Sequence, residues 1–369
     1  MKPKLILCLA LVLSGGLFGF SKTARADEIV TNSEPRYLDK SLSEWIRLTR
    51  STGGDLNLPG DARGFTAVRE IGTNAIPWLL QWLNSDKSDA AQIGIDGFNL
   101  LGPSAKLAEP ELLKMACAWQ TSTAWSNAIP ILASLRNTND LSDAFSNLLP
   151  MTTNLSVPNV VRARILESIP RAGYSHSVAL IILQCFQDKD WRVAYAAAQS
   201  LCCCVERKLA VTAVTACLLS RTNGPEDALV RKMAIHALTG SAELIYYPST
   251  RSKSELDDLR RTMSMTVQAL VMALNDEDWR VASVAAMALG EAAVEPEIVV
   301  PALLKSLDYP HPDVRGYVRL EAIEALGNFG SAAQSAVPAL TKLAQSDPRG
   351  YVGGTFAASA LKKIVTQKK

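Results

Sequence analysis

Histidine, aromatic side chains and net charge are all scarce in this chain, and each shortage closes off a class of function. The three histidines, His176, His236 and His311, stand far apart, and none has a carboxylate or cysteine at a ligand-like or triad-like offset. They read as helix-end or turn residues. No Gly-x-Ser-x-Gly, His-Glu-x-x-His or Walker-type loop occurs, so the common signatures of nucleophilic, zinc and nucleotide chemistry are missing. There is no Cys-x-x-Cys pair. The run Cys202-Cys203-Cys204 cannot converge on one ion, because successive helical residues point about 100° apart. The expectation is a protein with no catalytic, cofactor-binding or metal-ligating residue, and so not an enzyme.

Long apolar runs are lacking too, except at the start. Leu5 to Phe20 follows the basic Lys2 and Lys4 and precedes Ala24-Arg25-Ala26. This reads as a secretory signal peptide over 1–26, cleaved after Ala26. The run is too short and Gly-rich for a membrane span, and Cys8 lies too early for a lipoprotein cleavage site. Cleavage removes Lys2, Lys4, Lys22 and Arg25, so the 38 basic and 36 acidic residues of the full chain become 34 against 36. A nearly neutral mature chain offers no electrostatic case for nucleic acid. It has no polybasic block for an anionic membrane either. The expected location is periplasmic or secreted, with no membrane insertion after signal cleavage.

What the chain does have is a phrase that it repeats. Asp188-Lys189-Asp190-Trp191-Arg192-Val193-Ala194 recurs as Asp276-Glu277-Asp278-Trp279-Arg280-Val281-Ala282, with the valines 88 residues apart (281 − 193). Around it runs a wider pattern, an apolar residue followed eight positions later by another: Val161/Ile169, Val193/Leu201, Val230/Leu238, Val281/Leu289 and Val318/Leu326. Positions i, i+4 and i+8 share one helix face, and the middle residues are Ile165, Ala197, Ala234, Ala285 and Ala322. Small residues there predict close helix–helix approach. The anchors are spaced by 32, 37, 51 and 37 residues, the period of a helical-hairpin repeat.

A second apolar helix precedes each anchor: Ser177 to Gln187, Thr262 to Leu274, Val300-Pro301 to Leu307 and Val337-Pro338 to Leu343, with Ile76-Pro77 to Leu83 as an N-terminal version. Proline belongs in the first turn of a helix, where its missing N–H is no loss. Asp190 and Asp278 are placed to cap the helices that follow. Recurrence of Trp191 and Trp279 points to packing over the top of each hairpin rather than to a ligand groove.

These residues resemble the HEAT-repeat family, in particular the short bacterial type related to bilin (PBS) lyases, with an Asp-rich turn, then Val-Arg, then Ala-x-Ala-Leu-Gly. The resemblance is strong from Val161 on. It is weaker at Arg63 to Ile71-Gly72 and Ile93 to Leu101-Gly102, and out of phase from Ala128-Ile129-Pro130 to Pro150. It implies an all-α, right-handed α-solenoid (superhelix) of about eight or nine stacked antiparallel helical hairpins over 62–369. It also implies a ladder of Asp–Arg pairs between repeats. Arg162, Arg231 and Arg319 follow their valines as the family pattern requires. Ala194 and Ala282 do not, so the ladder is expected to break there.

The stretch 27–61 reads as a leader and a capping helix, and Arg36 to Trp45 resembles the opening of exported bacterial HEAT proteins. Ser41-x-x-Glu44 is a capping box, Leu42, Trp45, Ile46 and Leu48 give one apolar face, and 51–61 reads as a loop. The 51-residue interval holds an insertion over 241–254. Its Tyr246, Tyr247 and Arg251 are the candidate partner contacts, since Tyr and Arg are enriched in interfaces. Cys202, Cys203 and Cys204 read as small core residues, and export also leaves open a disulfide from Cys185 or Cys217 to one of them. Asp257-Asp258 reads as solvated carboxylates of an early helical turn.

The functional expectation is a non-catalytic exported scaffold or adaptor that binds a protein or peptide partner. Two alternatives stand beside it: a HEAT-like lyase or ligand carrier, and a structural module of an envelope assembly.

Overall fold

The computed structural model describes residues 34–51, 59–135, 143–169, 176–201, 207–220, 224–239, 253–310, 316–346 and 354–366. The signal segment, Cys202, Cys203 and Cys204, Tyr246, Tyr247, Arg251 and His311 lie outside them. The chain forms two compact units, Met1–Pro150 and Met151–Lys369.

The first unit opens with a two-residue antiparallel ladder, β1 (Arg36–Tyr37) on β2 (Lys40–Ser41). Helix α1 (Leu42–Ser51) follows through the expected capping box. The Ser41 N–H donates to Glu44 Oε2 at 2.7 Å and the Glu44 N–H to Ser41 Oγ at 3.4 Å. Leu42, Trp45 and Ile46 are buried, but Leu48 is 38% exposed and Thr49 takes the inner position. The stripe 42, 45, 46, 49 is what helical spacing puts on one face, and position 48 falls off it. Helix α2 (Pro59–Ile71) begins within the stretch expected to be a loop, with Pro59 at its first position, where proline is favoured.

Two hairpins complete this unit: α3 (Ile76–Leu83) with α4 (Ser88–Leu101), and α5 (Glu109–Cys117) with α6 (Trp125–Ser134). Helix α7 (Asp143–Ser146) follows. Turns of 3-10 type, Gly72–Ala75 and Gly102–Ala108, join the helices. Each opens on a glycine with positive φ (60° and 56°), a conformation that a side chain would strain. This is the job of the Gly in Ile71-Gly72 and Leu101-Gly102.

The chain leaves the first unit within α8 (Leu149–Thr153). The second unit then runs α9 (Asn159–Glu167), α10 (His176–Phe186), α11 (Trp191–Leu201), α12 (Arg207–Ser220), α13 (Gly224–Thr239), α14 (Lys253–Ser264), α15 (Val267–Ala273), α16 (Trp279–Ala292), α17 (Pro296–Ser306), α18 (Tyr317–Asn328), α19 (Val337–Ser346) and α20 (Gly354–Thr366). The hairpins are α10–α11, α12–α13, α15–α16, α17–α18 and α19–α20. Their second helices, with α9 before them, stack in chain order: α9, α11, α13, α16, α18, α20. This is an all-α solenoid.

The predicted i, i+4, i+8 sets form its core. Val161/Ile165/Ile169, Val193/Ala197/Leu201, Val230/Ala234/Leu238, Val281/Ala285/Leu289 and Val318/Ala322/Leu326 are all buried, none above 4% exposed. Each large apolar member stabilises the stack by roughly 1.5–3 kcal/mol. Close helix approach is visible at two glycines that follow the predicted sets. A Cβ added at Gly290 would lie 2.5 Å from Ala325 Cα on the neighbouring helix, and one at Gly327 would lie 3.1 Å from Ala360 Cα. Ser200 Oγ reaches across from α11 to accompany this packing, donating to the Leu166 carbonyl at 2.8 Å.

Two helices depart from expectation. Thr262–Leu274 is not one helix: α14 ends at Ser264 and α15 begins at Val267. The polar α14 packs beside α12, α13 and α16, and the apolar α15 packs on α12, α16 and α17; the break between them lies at Thr266, whose backbone (φ −123°, ψ 0°) leaves helical geometry. Pro301 is not in a first turn. Glu295, left-handed at φ 49°, caps a helix that starts at Pro296, so Pro301 sits inside α17 and withholds one N–H from the ladder.

Candidate functional site

The two repeated phrases are the same device, used twice, at the joint between hairpins. In the first, Arg162 comes from α9, 2% exposed. It donates to Asp188 Oδ2 at 2.5 Å, to Asn159 Oδ1 at 2.7 Å and to the Thr152 carbonyl at 3.3 Å. Asp188 Oδ1 also accepts the Asp190 N–H at 2.9 Å. Asp190 then caps α11 by accepting the Arg192 N–H at 3.0 Å.

In the second copy, Arg231 of α13 forks onto Asp276, Nε to Oδ2 at 2.7 Å and Nη2 to Oδ1 at 2.8 Å. Asp276 Oδ1 accepts the Asp278 N–H at 2.9 Å, and Asp278 caps α16 through the Arg280 N–H at 2.9 Å. The Arg280 side chain clamps the same carboxylate, with Nη2 to Oδ2 at 2.6 Å. That guanidinium holds the Asp278 carboxyl below its ordinary value, and the carboxylate raises Arg280 in turn. The Tyr309 hydroxyl donates to the Asp276 carbonyl and ties the following loop to the turn.

The ladder therefore has the interruptions expected at Ala194 and Ala282: Arg192 and Arg280 bond within their own turns instead. Arg319 follows Val318 and bonds to the backbone. It is exposed and donates Nε to the Leu307 carbonyl at 2.7 Å. Trp279 differs from the reading that each tryptophan covers its own hairpin. Trp279 stacks on Tyr317, the first residue of α18, with ring centroids 5.1 Å apart and an angle of 14°, so it bridges to the next hairpin. Trp191 has the Arg192 guanidinium over its ring at 5.4 Å.

A groove of about 470 Å³ opens beside the second turn. Leu218 of α12, Pro225 of α13 and Met272 and Ala273 of α15 form its apolar side, and Asn275 and the Asp276–Asp278 turn its polar side. The first unit has a groove of about 640 Å³ lined by Leu80, Asn84, Lys114, Met115 and Ser122, among others.

The other candidate residues have structural places. Cys185 is buried, and burial pushes its thiol up. Cys217 is buried too, and Cys117 is exposed on the first unit. Among the described residues no disulfide forms. His176 opens α10 at the surface, while His236 is buried in the last turn of α13. Asp257 pairs with Arg260 at 3.4 Å on the outside of α14. One half-buried group escaped the sequence reading. Glu321 of α18 is pushed up to about 7, first by burial and then by the neighbouring carboxylates Glu324 and Glu291. Nothing in Glu321-Ala-Ile-Glu324 distinguishes it from a solvated helix face.

Among the described residues no helix is long and apolar enough to cross a membrane.

Residues 267–362, from α15 into α20, match the family described as HEAT repeats. The chain carries HEAT repeats. The Arg162–Asp188 joint, which lies before the matched residues, repeats the Arg231–Asp276 joint. The crystal structure of the Escherichia coli protein YibA aligns over 85% of this chain and 98% of its own, at 15% identity and a TM-score of 0.47. The crystal structure of a Kap121p variant aligns over 88% of this chain at 13% identity and a TM-score of 0.53. That alignment uses 37% of the Kap121p chain and shows a shared fold. No curated protein sequence matches this chain.

Proposed function

We propose that this protein is an exported, non-catalytic scaffold or adaptor that holds a protein or peptide partner on its HEAT-repeat surface. The observation that carries the reading is a division of labour in the second unit. The recurrent polar residues, Arg162, Asp188, Arg231, Asp276, Asp278 and Arg280, are bonded to one another. The first helices of four successive hairpins meanwhile present large apolar side chains to solvent: Leu180 at 50%, Leu219 at 50%, Met272 at 63% and Ile298 at 41% exposed. Exposed apolar side chains repeated on successive first helices support a reading of contact rather than chemistry. The N-terminal segment supports export, and a periplasmic or secreted location follows from it. HEAT arrays offer large surfaces of this type to proteins, which supports a protein partner over a small molecule.

The test is capture with the full chain and with a chain lacking 241–254, both from the periplasmic fraction, alongside N-terminal sequencing of the recovered protein. The scaffold reading expects a mature start at Asp27 and one partner held at a fixed stoichiometry. An uncleaved chain in the cytoplasm would sink the export part. Unchanged partners after the deletion would remove Tyr246, Tyr247 and Arg251 as contacts.

A further inference from the structure

The two copies of the turn differ at one outward position. The framework Asp-x-Asp-Trp-Arg-Val-Ala is shared, yet x is Lys189 in the first and Glu277 in the second. Both residues are exposed. In the second copy Asp276 is taken by Arg231 and by the Asp278 N–H, and Asp278 by Arg280. Among the described residues, the carboxylate on the groove wall that faces solvent is that of Glu277. Leu218, Pro225 and Met272 line the same groove, and Met272 is 63% exposed. An apolar wall beside an exposed carboxylate is complementary to a cation carried next to an apolar side chain.

We propose that this groove docks a partner segment presenting a lysine or arginine beside a large apolar residue. The cation meets Glu277 and the side-chain carbonyl of Asn275, and the apolar residue lies on Met272 and Leu218. Methionine suits such a wall because its flexible thioether adapts to varied shapes. The charge supplies selectivity and on-rate, and the apolar contact supplies most of the affinity. The first copy, with Lys189 in the same place, would repel the same segment. This proposal rests on the scaffold reading and names the chemistry of the partner.

The experiment uses the full mature chain with methyl-¹³C methionine, the Met272 signal being assigned by its loss in Met272→Leu. Three acetylated, amidated hexapeptides serve as probes: one with Arg-Leu, one with Glu-Leu and one with Arg-Ser at its centre. The Arg-Leu peptide is expected to shift the Met272 methyl saturably, and the other two to bind at least about tenfold more weakly, the scale of one lost contact. Glu277→Lys should weaken the Arg-Leu peptide by the same factor while leaving the other methionine signals in place, since the first copy folds with lysine there. Equal shifts from all three peptides, no shift at Met272, or undiminished binding to Glu277→Lys would overturn the proposal. So would a Met272 shift that tracks protein concentration without peptide, which would make a second copy the occupant. Failure here with a partner still captured from the periplasm removes this groove and leaves the scaffold reading standing; failure of capture with peptide binding intact does the reverse.

Discussion

Replacing Glu321 with glutamine should make the protein more stable at pH 8 and flatten its stability between pH 5 and 8. The folded carboxyl sits at about 7 against an ordinary 4.5. Below pH 4.5 the group is protonated in both folded and unfolded chains and costs nothing. Between 4.5 and 7 the folded protein holds a proton that the unfolded chain has released, so stability falls as pH rises. Above 7 the buried, like-charged neighbourhood of Glu321, Glu324 and Glu291 must carry the full ionised group. At 1.36 kcal/mol per pH unit, moving from 4.5 to about 7 sets a ceiling of about 3 kcal/mol. Glu321 keeps part of its surface in solvent, which brings the working figure to about 1–2 kcal/mol. Asp278 is shifted the opposite way, so its contribution is lost below the ordinary carboxylate range, outside this window. The assay is urea unfolding followed by circular dichroism at pH 5, 6, 7 and 8, wild type against Glu321→Gln. The variant midpoint should exceed the wild-type midpoint at pH 8 and meet it at pH 5. Parallel curves across the whole range would refute the placement of Glu321.

Three further outcomes follow from the packing. Arg231→Met leaves Asp276 without its partner in a nearly dry joint and should lower unfolding free energy by about 3–5 kcal/mol, most of it recovered in the double variant with Asp276→Asn; thermal melts of the three proteins decide this. Gly290→Ala drives a methyl to 2.5 Å from Ala325 Cα, so the loss of about 1–3 kcal/mol from overpacking should outweigh the roughly 1 kcal/mol gain in helix propensity, read as a lower urea midpoint. Ala293→Gly removes a side chain from a left-handed position, φ 47°, just after α16, and should raise the melting temperature in line with a gain of about 1 kcal/mol.

The periodic parts of the molecule were readable in advance. The eight-residue step, the alanines between its ends, the capping box at Ser41 and Glu44, and the aspartate caps at Asp190 and Asp278 are all local arrangements. Helical spacing alone decides them, and the chain repeats them often enough to expose the register. The break of the Asp–Arg ladder was readable for the same reason: a missing arginine after valine cannot be supplied by folding.

What failed were the features that depend on a second element. The split between α14 and α15 is a backbone break at Thr266, in a joint packed against both α12 and α16. The start of α17 at Pro296, with Pro301 left inside it, comes from the backbone turn at Glu295. Trp279 reaches Tyr317 only once the next hairpin is stacked beside it. Glu321 becomes a group that titrates near 7 only when packing buries it, with Glu324 and then Glu291 adding like charge. The groove beside Glu277 exists only because α12, α13 and α15 meet there. The sequence by itself determined the helices, their apolar faces and the register of the array, because those are set within one helical turn of each residue. Tertiary structure decided which charges neutralise one another and which are left to face a partner, because charge compensation is settled by whichever side chain packing brings within about 3 Å.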